Sequence, residues 1–400
     1  MVAIAPLVRR HRFIPERIAL HAEELAYLWQ RRRASLRSPD VTLPDLTYLQ
    51  ERIEAHLQGL LVAGDELAPL LDAFLHGDQR DEAFAAAWAL LRSALPGNAR
   101  KVLEAFAAAG GPELEGFADA LATAPATLTA ATLQAALAHG SPAHAAAAAL
   151  ALGCQRLLDA RSPRLAGLLL DASPSIAPLV WRALRALDGP PAAAPLPFGE
   201  ALRGPSKTLR QAALDVAVWR GEAWVLDVAR QLAAEGDEAG LGWYAALCPA
   251  DEQHAALALF AGRPVPQRTA LAARLGQPAA IEAVLAWMAD PDPVLAAAAA
   301  QAWEQLTGLS VEGERRALPA ADPLEQDFPV MVCLPDLARA RQQWDAHRER
   351  WFAGGRWCRG FDLQTTLTSE AQHRVGLQAR WDFAARAAQA GTRLLVPPVV

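Results

Sequence analysis

The side chains that could do chemistry in this chain are scattered rather than clustered. None of its nine histidines is followed by Glu, so the helix-borne His-Glu pairs of a di-iron site are missing. The four cysteines (Cys154, Cys248, Cys333 and Cys358) lie far apart, with no C-x-x-C and no histidine at zinc spacing. Reduced, mostly buried thiols are the reading, which fits a cytoplasmic protein. His139 and His144 straddle the Ser141-Pro142 turn and read as surface turn histidines rather than a metal pair. No G-x-S-x-G, H-E-x-x-H, P-loop or G-x-G-x-x-G string occurs. The expectation is therefore a non-enzymatic protein with no catalytic residues, no bound metal and no cofactor.

Binding chemistry is better represented. On the helix around Leu179–Leu187 the core face is Leu179, Val180, Ala183, Ala186 and Leu187. Trp181, Arg182 and Arg185 fall outside it, with Trp181 and Arg185 at i, i+4. Exposed Trp and Arg are the residue types that most often anchor interfaces, and they can stack as a cation–π pair. Arg210 is placed similarly beside Leu209, about 100° round its helix. These four residues are the expected protein-binding surface. The alternative is that Trp181 packs on a neighbouring helix pair or on the Pro-rich connector Asp188 to Pro197. Trp344, His347 and Trp351 share one helical face and read as a core contact, with a binding platform as the alternative.

These residues need a frame, and a recurring turn signal supplies one. It reads Gly111-Pro112, Ser141-Pro142, Ser173-Pro174, Gly204-Pro205, Gly236-Asp237, Arg263-Pro264 and Asp290-Pro291, about thirty residues apart each time. Ala- and Leu-rich helical stretches lie between, including the runs Ala145–Ala149 and Ala296–Ala300. One helix pair cannot bury its apolar face alone, so such a period predicts a stack of pairs. Residues 1–64 read as an N-terminal helical hairpin, 65–308 as the repeats and 309–400 as a small mixed C-terminal cap. In the cap, Val330–Leu334 and Arg356–Leu363 read as short strands, and Asp336–Phe352 and Ser369–Gln389 as helices.

The formal net charge of −6 over 400 residues leaves no global basic field for nucleic acid. No apolar run of about 18 residues escapes Pro, Gly or charge, so a membrane span is not expected. Arg9, Arg10 and Arg12 follow the first apolar residues, whereas a secretory signal puts its charges first.

The turn Asp290-Pro291-Asp292-Pro293, the aliphatic Val294 and the paired Ala296-Ala297 resemble HEAT-like repeats of the short, bilin-lyase type. The opening His21–Trp29 (HAEELAYLW) and Leu49–Leu60 (LQERIEAHLQGL) resemble a bacterial HEAT-repeat family encoded beside type VI secretion genes. Leu334-Pro335-Asp336, Trp344, His347, Gly354-Gly355-Arg356 and Gly360 are similar to that family's C-terminal cap. Between the two ends, Val294-Leu295 and Leu209-Arg210 stand where HEAT repeats often carry Val-Arg. The resemblance implies an all-α, HEAT-like α-solenoid. It also implies an accessory role near the secretion machine, as an adaptor that binds an effector or a secretion component. Two alternatives remain: an enzyme of the HEAT-like lyase or nucleic-acid-modifying kind, and an immunity protein that neutralises a co-encoded toxin.

Overall fold

The computed structural model describes residues 13–93, 95–159, 162–171, 173, 176–186, 196–318, 329–392 and 398. Their architecture is mostly helical, with four short strands among the described residues. Two compact units are present, one of Met1–Leu36, Asp45–Val216 and Pro398–Val400, the other of Arg37–Pro44 and Ala217–Pro397.

The first unit opens with α1 (Pro15–Ser35) and α2 (Leu43–Leu61). Two one-turn helices follow, α3 (Leu67–Leu70) and α4 (Asp72–Leu75). There follow α5 (Arg80–Arg92), α6 (Pro96–Ala108), α7 (Glu113–Ala122), α8 (Ala126–His139), α9 (Pro142–Cys154), α10 (Pro163–Leu168), α11 (Ala177–Ala186) and α12 (Phe198–Arg203). Helices α1, α5, α7, α9 and α11 pack in series, each on the next. Helices α6 and α8 pack beside that row and on each other.

Turn signals precede three helices of this row. Pro112 precedes α7, Ser141 caps α9 by accepting from the His144 amide, and Ser173 lies just ahead of α11. Pro174 and the Pro-rich connector at 188–195 fall outside the described residues. Ser and Asp suit these positions because their side-chain oxygens satisfy amides that the first helical turn leaves orphaned.

Within the row, α5, α7 and α9 are buried round nearly their whole circumference. Ala83–Leu91 of α5, Gly116–Ala122 of α7 and Ala145–Gly153 of α9 contain no exposed residue. Such close contact requires small side chains. A Cβ on Gly116 would be driven into the backbone carbonyl of Arg80, and one on Gly153 would lie 2.8 Å from the carbonyl oxygen of Ala183. Larger residues fill the space at the row's edges, where Trp29 stacks on Phe84 at 3.8 Å between ring centroids. By contrast α2 buries only Ile53, Leu57 and Leu60, and α8 only Thr129, Leu133 and Leu137. Those are single stripes at helical spacing, with the opposite face in solvent.

α13 (Lys207–Arg220) runs through the division between the units. The second unit then contains α14 (Val225–Ala234), α15 (Glu238–Leu247), α16 (Gln253–Ala261), α17 (Val265–Leu275), α18 (Pro278–Trp287) and α19 (Pro293–Thr307). Here too the turn signals begin alternate helices, since Asp237 caps α15, Pro264 precedes α17 and Asp292 caps α19. Gly308 ends α19 in the left-handed region at φ 71°, where a Cβ would be strained.

Strands β1 (Glu312–Ala317) and β2 (Met331–Pro335) form an antiparallel hairpin, with β2 against α19. α20 (Leu337–Ala353) packs on α18, and β3 (Trp357–Cys358) pairs with β4 (Phe361–Asp362). The stretch read as one helix over Ser369–Gln389 is two, α21 (Ser369–Arg374) and α22 (Leu377–Gln389). It breaks because Gly376 presses against Pro39, while the amides of Leu377 and Gln378 bond the carbonyls of Val41 and Ser38.

The close approach of α5 and α7 is open to test. Gly116→Ala should destabilise the protein by about 2 kcal/mol or more, because the obstacle is backbone and cannot rotate away. Gly97→Ala, whose Cβ meets nothing within 4 Å, should be neutral or slightly stabilising. Equal denaturation midpoints for the two variants would show that the row tolerates added volume.

Candidate functional site

The residues expected to bind a partner lie on or beside the packed row. Trp181 is fully buried (0% exposed), donates from Nε1 to the Leu169 carbonyl at 3.0 Å, and lies 5.1 Å from the Phe198 ring. Arg185 is also buried and donates to the Pro398 carbonyl at 3.1 Å. The expected exposure of these two side chains is thus corrected. Seven residues of α11 are buried (Ala177, Leu179, Val180, Trp181, Ala183, Leu184 and Arg185), so a position off the aliphatic stripe is still inside the packing. Arg182 and Arg210 keep partial exposure, and Arg210 donates to the Gly204 carbonyl at 2.5 Å.

Arg182 leads to a buried ion-pair line that sequence spacing does not reveal. Its guanidinium lies 3.6 Å from Asp119 of α7, a carboxylate with no exposure. Arg80 of α5 reaches the same Asp119 at 2.8 Å and also bonds Glu115. Further along, Arg33 of α1 pairs with Asp81 at 2.5 Å. The line therefore links α1 to α5, α5 to α7, and α7 to α11.

Electrostatics follow this geometry. Burial penalises the Arg80 charge, but Asp119 and Glu115 more than offset it, and the pKa rises above the ordinary arginine value. At Arg182 burial dominates and Arg80 adds repulsion, so its pKa falls despite Asp119. Burial pushes the Cys154 thiol up to about 11, leaving it protonated and unreactive at neutral pH. With one carboxylate shared between two guanidinium groups, this constellation joins α5, α7 and α11.

The other singled-out side chains have structural partners. His144 donates from Nε2 to the Phe106 carbonyl at 3.0 Å, which leaves Nδ1 to accept from the Ser141 hydroxyl at 2.8 Å. Trp351 is buried edge-on against Trp303 at 5.3 Å, the core contact read from its spacing, with Trp344 and His347 beside it. Among the described residues no group of three or more His, Cys, Asp or Glu side chains is arranged to hold a metal ion. Among them, too, no helix is long and apolar enough to cross a membrane.

The N-terminal hairpin brings together a pair that the linear reading missed. His21 of α1 and His56 of α2 approach Nδ1 to Nδ1 at 3.1 Å, so one ring must donate and the other accept. His56 has its pKa lowered by burial first and then by the His21 charge; Arg52 also lowers it, while Glu24 opposes. The only signal for the pair was that both residues lie in the two segments of one helical hairpin.

The same hairpin has exposed apolar side chains. Tyr27 is 50% exposed and Tyr48 is 65% exposed, and Leu20 lies two turns before Tyr27 on α1. Compared with models of known protein families and with curated proteins, the sequence matches none.

Two outcomes test this description. Asp119→Asn removes a charge shared by Arg80 and Arg182, and should cost about 3–5 kcal/mol in denaturant unfolding, because uncompensated charge stays buried. Removing one partner of the exposed Arg100–Glu104 pair by Glu104→Gln should cost about 0.5 kcal/mol or less. For His56, a lowered folded pKa means the unfolded chain binds the proton first. Its contribution is then complete above the ordinary value of about 6.5 and is lost as pH falls through the folded value. Stability measured from pH 8 down to pH 5 should fall less steeply in His56→Gln than in the unaltered protein.

Proposed function

We propose that this protein is a HEAT-like α-solenoid serving as a non-enzymatic binding scaffold or adaptor. Its partner would be a type VI secretion component or an effector awaiting loading. The observation that carries the reading is the serial packing of helices whose starts coincide with the recurring turn signal, with stripe-buried helices beside them. In such a stack each unit contacts only its neighbours and offers the remaining surface to partners. The setting rests on the resemblance of both chain ends to the HEAT-repeat family encoded beside secretion genes, and on that basis the protein would act in the cytoplasm.

The packed row offers little surface, because α5, α7 and α9 are buried round nearly their whole circumference. Partner contact is therefore assigned to the exposed faces of the N-terminal hairpin. Tyrosine is a frequent interface anchor, since a rigid ring supplies contact area and its hydroxyl a polar end. Tyr27 and Tyr48 are the exposed tyrosines there, and Arg31 lies over the Tyr27 ring.

The test is co-expression with each product of the adjacent genes. The unaltered chain should retain one of them. Tyr27→Ala with Tyr48→Ala should weaken that capture about thirtyfold, as loss of a central anchor of about 2 kcal/mol does, with the melting temperature nearly unchanged. Retention of every product by neither chain would count against the adaptor role. Undiminished capture by the double variant would move the docking face off the hairpin.

A further inference from the structure

Within the second unit, the C-terminal ends of α15 and α17 converge on two guanidinium groups, Arg356 buried and Arg386 half-buried. Arg356, in the turn before β3, donates from Nη1 to the carbonyls of Ala245 at 3.1 Å and Leu275 at 2.7 Å, and from Nη2 to that of Cys248. Arg386 of α22 donates to the Ala246 carbonyl at 3.3 Å and the Leu363 carbonyl at 3.0 Å. Helix C-terminal carbonyls favour cations, which explains why both groups can be there.

Carbonyl dipoles do not cancel two full charges, and the nearby carboxylates are committed elsewhere. Asp382 accepts both arms of Arg274 at 2.8 Å each. Asp362 accepts backbone amides of Gly355, Arg356 and Gln364. Arg356 is pushed down to about 9, by burial first and then by repulsion from Arg386, which is itself lowered to about 10 by burial. A cavity of about 530 Å³ opens against both guanidinium groups. Part of its lining is apolar, including Leu247, Pro249 and Phe383.

Gln277 lines the same cavity and is an independent sign of a missing partner. It is 2% exposed, and its Nε2 donates to the Cys248 carbonyl at 2.7 Å, which fixes the orientation of the amide. Its Oε1 is buried and accepts no hydrogen bond. A buried acceptor without a donor costs free energy that a ligand N–H would restore.

We propose that the cavity bounded by Arg356, Arg386 and Gln277 binds a carboxylate that carries an adjacent N–H and an apolar side chain. That is the chemistry of a peptide C-terminus or an N-acylated amino acid. The carboxylate meets the guanidinium pair, the N–H meets Gln277 Oε1, and the side chain lies on Phe383 and Leu247. The assignment does not depend on the scaffold reading or on the tyrosines of the N-terminal hairpin.

Titration calorimetry of the full chain tests it with four probes: N-acetyl-leucine, N-acetyl-leucinamide, the peptide acetyl-Ala-Ala-Leu as its free acid, and inorganic phosphate. The acids should bind saturably below about 10 mM, with the amide and phosphate at least about tenfold weaker. A tighter peptide identifies the ligand as a chain terminus, and equal affinities identify a free acylamino acid. Arg386→Gln should weaken the acid about tenfold, and Gln277→Met should do so without removing a charge. Because the acid–amide comparison uses the unaltered protein, it holds even if Arg386→Gln fails to fold. No saturable binding of either acid, equal binding of acid and amide, or phosphate binding as tight as the acid would overturn the proposal.

Discussion

The packing of both units depends on how closely helix backbones approach. At Gly116, Gly153 and Gly240 a single added carbon would collide with the neighbouring helix or turn. The alanines of α5 and α9 leave no larger gap elsewhere along those contacts. Alanine gives up little buried area per residue, but it costs no side-chain entropy and favours helix, so a row of such helices remains favourable. The constraint also explains the turns. A row this tight needs each helix to start at a defined place, and Ser141, Asp237 and Asp292 supply it by capping.

Tight packing then decides what polar groups can do. Arg80, Asp119 and Arg182 meet because α5, α7 and α11 are held within reach of one another, not because of any local motif. In the second unit the turn carrying Arg356 donates into the ends of α15 and α17, while the amides of Trp357 and Arg359 bond the carbonyls of Gly276 and Gln305. Residues 356–359 are thus joined to the C-terminal ends of α15, α17 and α19 by backbone and guanidinium bonds together. A hydrophobic contact, Trp351 on Trp303, completes the join.

Surface available for binding is displaced accordingly. Helices that are buried all round have no open face, so a Trp or Arg on them points into a neighbour or an ion pair. The N-terminal hairpin, by contrast, exposes Leu20, Tyr27 and Tyr48. The guanidinium pair beside Gln277 likewise lies at helix C-termini rather than on a helix face.

Much of the helical order was legible from residues alone. Turn residues act locally, through capping oxygens and the fixed φ of proline, so their spacing marked where alternate helices begin. The stripes of α1 and α2 were likewise readable, because Ile18, Ala22, Leu25 and Trp29 repeat at helical spacing. Side-chain exposure was not, and the physical reason is that a hydrophobic stripe defines one buried face without limiting burial to it. Trp181 and Arg185 lay off the stripe of α11 and were covered nonetheless, by Phe198 on one side and the Pro398 carbonyl on another. The break at Gly376, the His21–His56 contact and the pairing of Arg274 with Asp382 join segments distant in sequence. Only the tertiary structure could decide them, because each depends on where two backbones meet and not on what either segment prefers alone.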